Sequence, residues 1–239
     1  MPAPMTEEEF QTPEGRKAAW RSLMLQDHGF LRKVYDNSHW ISDEMVRTYQ
    51  PSPAMIEKWA DKGIRTIINL RGVRNEGYDG PSDRQPGFYW LEKEACAKHG
   101  IRMIDHRAWS REAPPREFIT GLNEIFETIE YPALMHCKSG ADRAGIASTL
   151  YRFLRQEAPL DEALEQLTYK YGHVKSGKTG VLDHFFEIYR TAALEDGVLP
   201  NKAHFLDWVA TDYDRDSVTR SFRAGTFGSL LTEIILRRE

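Results

Sequence analysis

The sequence predicts an α/β fold: a mostly parallel central sheet flanked by helices, with helical extensions at both ends. Three observations carry this. Apolar runs of strand length alternate with segments of helical periodicity through the middle of the chain. One of those runs, TIINL at 66–70, opens on three β-branched residues and carries no charge, as befits a strand buried on both faces. Another, Ala133–Cys137, passes through a loop of small residues into an apolar helix, the join expected where a strand of such a sheet ends at a ligand site.

Taken in order, residues 1–13 are Pro-rich and acidic and are expected to be loose. Residues 14–35 read as a basic amphipathic helix with Trp20, Leu23, Met24, Phe30, Leu31 and Val34 on its apolar face and an interruption near Gly29. Packing on its own domain is preferred to contact with a membrane surface. Met45–Tyr49 is a short strand. A helix follows with Ser52 near its start, Pro53 in its first turn and Gly63 as its stop. After TIINL comes a charged, glycine-rich loop, then a helix over 88–99 ended by Gly100, a strand over 101–106 and a loop over 108–114. The spacing of Phe118, Leu122, Ile125, Phe126 and Ile129 predicts a helix over 115–130. A helix is expected over 143–156, and beyond Pro159 four more over 160–171, 179–194, 201–210 and 227–238. The stretch 211–225 has weak periodicity and reads as an irregular connection.

At roughly 150 residues per domain, the 239 residues make one sizeable domain with additions. The expected division is a tail and helix over 1–35, a catalytic domain over 36–195, and a helical extension over 196–239 packed on the same domain. Hydrophobic residues at 41% and charged ones at 28% exclude wholesale disorder. Lys plus Arg total 32 against 36 Asp plus Glu, a net charge of -4, which argues against a nucleic-acid binder. No apolar run reaches the roughly 18 residues of a membrane span. The opening MPAPMTEEEF lacks the apolar stretch of a secretory signal, so a cytoplasmic location is expected. Two cysteines, Cys96 and Cys137, exclude a disulfide scaffold and a four-cysteine zinc site.

The chemistry concentrates in YPALMHCKSGADRAGIASTL at 131–150. A loop entering a helix N-terminus aims backbone N–H groups at one spot and makes an anion site. Gly140 and Ala141 let the backbone approach a ligand closely. Cys137 lies at the floor of that nest, where the amides, the helix dipole and Arg143 would depress its thiol pKa. The Arg143 fork matches two phosphoryl oxygens.

HCKSGADRAG resembles the signature of cysteine-dependent protein tyrosine and dual-specificity phosphatases: His-Cys, five residues, Arg, then Ser or Thr, then Gly. The resemblance in architecture spans about residues 36–195 and favours a bacterial-type, dual-specificity-like branch with a shallow pocket. It implies that Cys137 is the nucleophile and forms a phosphocysteine. It implies that Lys138, Ser139, Gly140, Ala141, Asp142 and Arg143 bind the phosphate, and that His136 orders the loop and tunes the thiol. No cofactor and no metal are implied. Ala144 stands where most relatives carry a hydroxyl that helps the thiolate leave, so slower breakdown of the intermediate is expected.

Such enzymes also need a general acid on a loop after the preceding strand. Asp105, 32 residues before Cys137, has the family's spacing but falls inside a predicted strand. Glu112, 25 residues before, sits in the loop WSREAPP and is preferred by a small margin. Its bland alternative is a solvated carboxylate at a helix N-terminus. Asp142 is expected to point away from the phosphate. Lys138 stands at the pocket rim, reading an anionic substrate or simply solvated.

Several residues invite more than they support. Cys96 is read as a buried structural thiol. SGKTG at 176–180 lacks the spacing and preceding strand of a nucleotide loop. Asp183 with His184 lacks a third metal ligand at sensible spacing. Arg71, Arg74 and Arg84 read either substrate charge or plain solvation. The substrate is expected to be a phosphorylated protein or a small phosphorylated molecule. Inositol phosphates or phospholipids, a weakly active phosphate-binding scaffold, and a rhodanese- or arsenate-reductase-like thiol enzyme are the competing readings. The oligomeric state is not legible.

Overall fold

The strands β2 (His39–Trp40), β3 (Met45–Tyr49), β4 (Thr66–Asn69), β6 (Arg102–Asp105) and β7 (Ala133–Cys137) form one sheet in the order β2-β3-β7-β4-β6. All neighbours run parallel except β2, which pairs antiparallel with β3. The fold class is therefore the expected one, with β7 central. The computed structural model describes residues 4–30, 36–74 and 82–223. Its residues group into two compact units, one of Met1–Ala108 with Thr128–Gly145, the other of Trp109–Glu127 with Ile146–Glu239.

In the first unit, α3 (Pro53–Asp61) starts at Ser52, whose side chain accepts from the Met55 N–H, and ends before Gly63 at φ 86°. Pro53 suits the first turn because its missing N–H has no partner there. α4 (Gly87–Lys98) ends before Gly100 at φ 66°. Ile56 and Trp59 of α3 and Ala95 and Cys96 of α4 pack on Val46, Ile67 and Leu134 of the sheet. Cys96 is thus a core residue, as expected, and burial pushes its thiol pKa up.

Residues 4–13 are ordered, contrary to expectation. β1 (Pro4–Met5) pairs with β5 (Gln85–Pro86), and Thr6 opens α1 (Glu7–Gln11) with a reciprocal capping box to Glu9. Thr12 then caps α2 (Pro13–Arg21). The helix expected over 14–35 continues only as a π-helical turn at Ser22–Gln26, and His28 takes φ 59°. Leu31 and Val34 lie outside the described residues. Ala19 and Leu23 are buried against α4, while Trp20 and Phe30 are 43% and 47% exposed. Helix contact is close: a Cβ on Gly87 would lie 2.5 Å from the Ala19 Cα.

The second unit is helical. It holds most of α5 (Arg116–Thr128) and of α6 (Asp142–Leu150), the π-helical turn Tyr151–Arg155, α7 (Leu160–Leu164), α8 (Val181–Glu195) and α9 (Lys202–Thr211). Phe153, Phe185, Phe186, Tyr189, Phe205, Trp208 and Tyr213 form its aromatic core. Two expectations fail here. The helix over 160–171 stops at Leu164 because Thr168 turns extended, leaving only a 3₁₀ turn at Tyr169–Tyr171. The supposed connection over 211–225 is helical at 215–223, nucleated by Asp214, whose Oδ1 accepts from the N–H groups of Asp216 and Ser217. The expected helix over 227–238 lies outside the described residues. No described helix is long and apolar enough to cross a membrane.

Candidate active site

Parallel pairing brings four strand ends together. Tyr49 stands opposite Cys137, Asn69 opposite both His136 and Asp105. Cys137 therefore lies at the carboxyl edge of the central strand, where ligands of open α/β sheets bind. It is 2% exposed. The loop 138–141 leaves this strand and turns at Gly140, φ 75°, into α6.

The loop is held from behind. The Asn37 side-chain amide donates to the Ser139 carbonyl at 2.9 Å. Arg47 donates from Nη2 to the Gly140 carbonyl at 2.7 Å and the Ala141 carbonyl at 2.9 Å. In a planar trans peptide the N–H points opposite the C=O. The N–H groups of Gly140, Ala141 and Asp142 are thereby turned to the other side of the loop, as an anion nest requires. Gly140 has no room for a side chain: a Cβ would stand 3.0 Å from both the Asn37 Nδ2 and the Thr48 carbonyl carbon.

Arg143 is partly buried one residue inside α6. Burial pushes its guanidinium pKa down, the Cys137 sulfur holds it up, and the neighbouring cations Arg71 and Arg107 lower it further, with Asp142 acting the other way. Cys137 and three guanidinium groups thus share one electrostatic neighbourhood. Ala144 is fully buried. Lys138 is half-buried and Ser139 exposed.

Asp105 ends β6 with both carboxylate oxygens engaged. Tyr89 donates its hydroxyl to Oδ2 at 2.9 Å, and Asn69 donates its amide to Oδ1 at 2.7 Å. Desolvation by its packed neighbours pushes the Asp105 carboxyl pKa up, against these two hydrogen bonds, while the residue keeps an exposed side. Glu112 belongs to the second unit, where its carboxylate meets Arg215 at 2.6 Å. Arg215 also donates to the Ala113 carbonyl and lies over the Trp109 ring.

His136 is fully buried, its Nε2 2.6 Å from a carboxylate oxygen of Glu92, itself 1% exposed. Arg71 is anchored to Gln50 and Asp27. Arg84 pairs instead with Glu9, and Arg74 uses its backbone to meet Gln85. In the second unit Asp183 meets His173 at 2.8 Å, and His184 meets Ser221. A cavity of about 510 Å³ opens beside Tyr49 and Gln50, with Trp40, Trp59, Lys58 and Lys62 in its walls.

Sequence reading missed Asn37, Arg47, Gln50 and Glu92. Two of them carried a signal. Arg47 interrupts the apolar strand MVRTY, and Glu92 falls midway between Phe88 and Cys96 on the buried stripe of its helix.

A mostly parallel α/β sheet with a buried cysteine at its central strand end, a backbone anion nest and an arginine at the following helix start defines the class of site. No family model and no curated protein matches the chain. Among solved structures the chain is similar to Tk-PTP in its active form, at 20% identity over 63% of this chain and 97% of that one, TM-score 0.46. It is similar to PTPMT1 at 16% identity over 66% and 99%, TM-score 0.45. It is also similar to P. aeruginosa TpbA in complex with pTyr, at 14% identity over 77% and 89%, TM-score 0.43.

Proposed function

We propose that the protein is a phosphate monoester hydrolase acting through a phosphocysteine, with its catalytic domain in residues 36–195. The carrying observation is the loop 138–141, whose carbonyls are drawn back onto Asn37 and Arg47 beside Cys137 and Arg143. The Cys137 thiolate attacks phosphorus in line, the S–P bond forms and the bond to the leaving oxygen breaks. The loop amides and the Arg143 fork stabilise the equatorial oxygens. Asp105 donates a proton to the leaving oxygen. Ionised Asp105 then takes a proton from water, which attacks phosphorus, releases inorganic phosphate and returns the thiolate.

Asp105 is favoured over Glu112 as the acid. Its carboxyl holds a proton more firmly than usual and ends a strand of the same sheet as Cys137, whereas Glu112 is committed to Arg215. The reaction as drawn uses no metal and no cofactor. The substrate is a phosphorylated protein, on tyrosine or with dual specificity. A phosphoinositide or inositol phosphate is the second reading, favoured by Arg71 and Arg107 near Arg143. A cytoplasmic setting, which keeps thiols reduced, fits the free Cys137.

The test is hydrolysis of an aryl phosphate with chelator present, for wild type, Cys137→Ser, Asp105→Asn and Glu112→Gln. Turnover is expected to vanish in Cys137→Ser and to fall about 100-fold in Asp105→Asn. Undiminished hydrolysis by Cys137→Ser would sink the mechanism, and a larger loss in Glu112→Gln would move the acid there.

A further inference from the structure

Behind the loop runs a buried chain of polar groups with a definite direction. Arg71 donates from Nη1 to the Gln50 Oε1 at 2.9 Å, and its Nη2 meets Asp27 Oδ1 at 2.9 Å. Gln50 donates from Nε2 to the Glu92 Oε2 at 2.6 Å. The other Glu92 oxygen is 2.6 Å from the His136 Nε2. Asp27, Gln50, Glu92 and His136 are each at most 2% exposed. Two members lie against the loop and the strand end before it: the Gln50 backbone N–H donates to the Lys138 carbonyl at 3.4 Å, and the His136 Nδ1 stands 3.5 Å from the Cys137 carbonyl.

The chemistry of the groups fixes every orientation. A guanidinium only donates and a carboxylate only accepts. Gln50 lies between one of each, so its amide has a single satisfied orientation. Glu92 accepts from Gln50 on one oxygen and so presents its other oxygen as an acceptor to His136. A proton on Nε2 serves that oxygen, and the 2.6 Å contact fixes where the ring stands behind Cys137.

We propose that Glu92, oriented by Gln50, is a positioning residue of the hydrolase: it fixes the His136 ring and, through it, the backbone that aims Cys137. The inference rests on the phosphatase reading above. It assigns Glu92 no contact with substrate. Displacement of a nucleophile by about 1 Å costs on the order of 100-fold in rate, so the effect belongs in kcat rather than in KM.

An exchange of the two side chains tests this. In Glu92→Gln the new amide cannot satisfy both neighbours: either its N–H₂ faces that of Gln50, or it faces the His136 N–H. Turning Gln50 over only moves the clash to Arg71. In the double variant Gln50→Glu/Glu92→Gln every pair is complementary again, since Glu at 50 accepts from Arg71 and from the amide at 92, whose oxygen accepts from His136. The two side chains keep their sizes and the net charge of the pair.

Aryl phosphate hydrolysis is measured for wild type, Cys137→Ser, Glu92→Gln and the double variant, with thermal unfolding of each and the ring ¹⁵N signals of His136 in ¹⁵N-labelled protein. The expected result is a kcat loss of about 10- to 100-fold in Glu92→Gln with KM changed less than about threefold, and recovery to within about threefold in the double variant. The ¹⁵N signals of the His136 ring should shift in Glu92→Gln and return to their wild-type positions in the exchange. A folded Glu92→Gln with wild-type kcat overturns the proposal, as does a folded double variant as slow as the single one. If Glu92→Gln does not fold, the double variant alone decides by its kcat and ring signal. A wild type no faster than Cys137→Ser refutes the phosphatase reading instead, and the ring signal still reports whether Glu92 orients His136.

Discussion

Arg47 offers the sharpest perturbation of the loop. It is fully buried in β3 and holds two carbonyls of the loop at 2.7 and 2.9 Å. Arg47→Met keeps an unbranched apolar stem and removes both donors. The Gly140 carbonyl loses its side-chain donor at a cost of about 1–3 kcal/mol, while the Ala141 carbonyl keeps the Gly145 N–H at 2.7 Å. Against this, the variant no longer buries a guanidinium, a relief of several kcal/mol. The two contributions offset, and the net change in stability should be at most about 2–3 kcal/mol. At about 2–4 °C per kcal/mol for a chain of this size, the Tm should fall by no more than about 12 °C. Activity has no such offset. With its carbonyls released, the loop no longer turns the N–H groups of Ala141 and Asp142 to the anion, and kcat/KM for an aryl phosphate should fall on the order of 100-fold. The assay is hydrolysis at a temperature well below the variant's Tm, paired with calorimetry. Arg47→Lys, with one point donor in place of the fork, should fall between. Wild-type turnover in a folded Arg47→Met would refute the argument that this side chain organises the nest.

Further outcomes are open to direct measurement. Gly140→Ala forces a side chain into φ 75° and to within 3.0 Å of the Thr48 carbonyl carbon, so it should cost about 1–2 kcal/mol in strain and lower kcat further than Tm suggests. The Asp105 carboxyl pKa is raised, so the folded chain holds that proton more tightly than the unfolded chain does. Stability from this group is complete below the ordinary aspartate range and declines as pH rises to Asp105's own value. The Tm of Asp105→Asn relative to wild type should therefore climb with pH through that window and then level, and a flat difference would contradict the shift. The rate of wild type should fall on the alkaline side as Asp105 ionises, and Asp105→Asn should lack that limb. The Glu112 and Arg215 side chains are 44% and 32% exposed, so Glu112→Gln should cost under about 1 kcal/mol and leave kcat within about threefold.

The strands and main helices of the sheet region were legible because their signals are local. Ser52, Pro53, Gly63 and Gly100 mark ends through cap and φ preferences that need no tertiary context. The loop and its cysteine were legible for the same reason, since HCKSGADRAG is contiguous. The supports of the loop were not, because Asn37, Arg47, Gln50 and Glu92 lie from 44 (Glu92 to His136) to 102 (Asn37 to Ser139) positions from their partners in the loop and the strand end before it, and meet them only through strand pairing and helix packing. Composition misled at the N-terminus. Acidic residues after Thr6 look like a solvated tail, but Glu9 closes a capping box and Phe10 is 1% exposed. The choice between Asp105 and Glu112 turned on side-chain partners, Tyr89 and Asn69 for one and Arg215 for the other, which no spacing encodes.

The seat of α2 on α4 bears on how this chain could be shortened. A minimal chain cut at residue 36 would look natural from the sequence. Such a cut would strip Ala19 from the bare backbone at Gly87 and take Asp27 from the Arg71 guanidinium. It would leave Phe88 and Leu91, now under 10% exposed, facing water on the very helix that carries Glu92. The leading residues act as a clasp on the scaffold, so a tag or fusion is better joined ahead of Pro4 than within them.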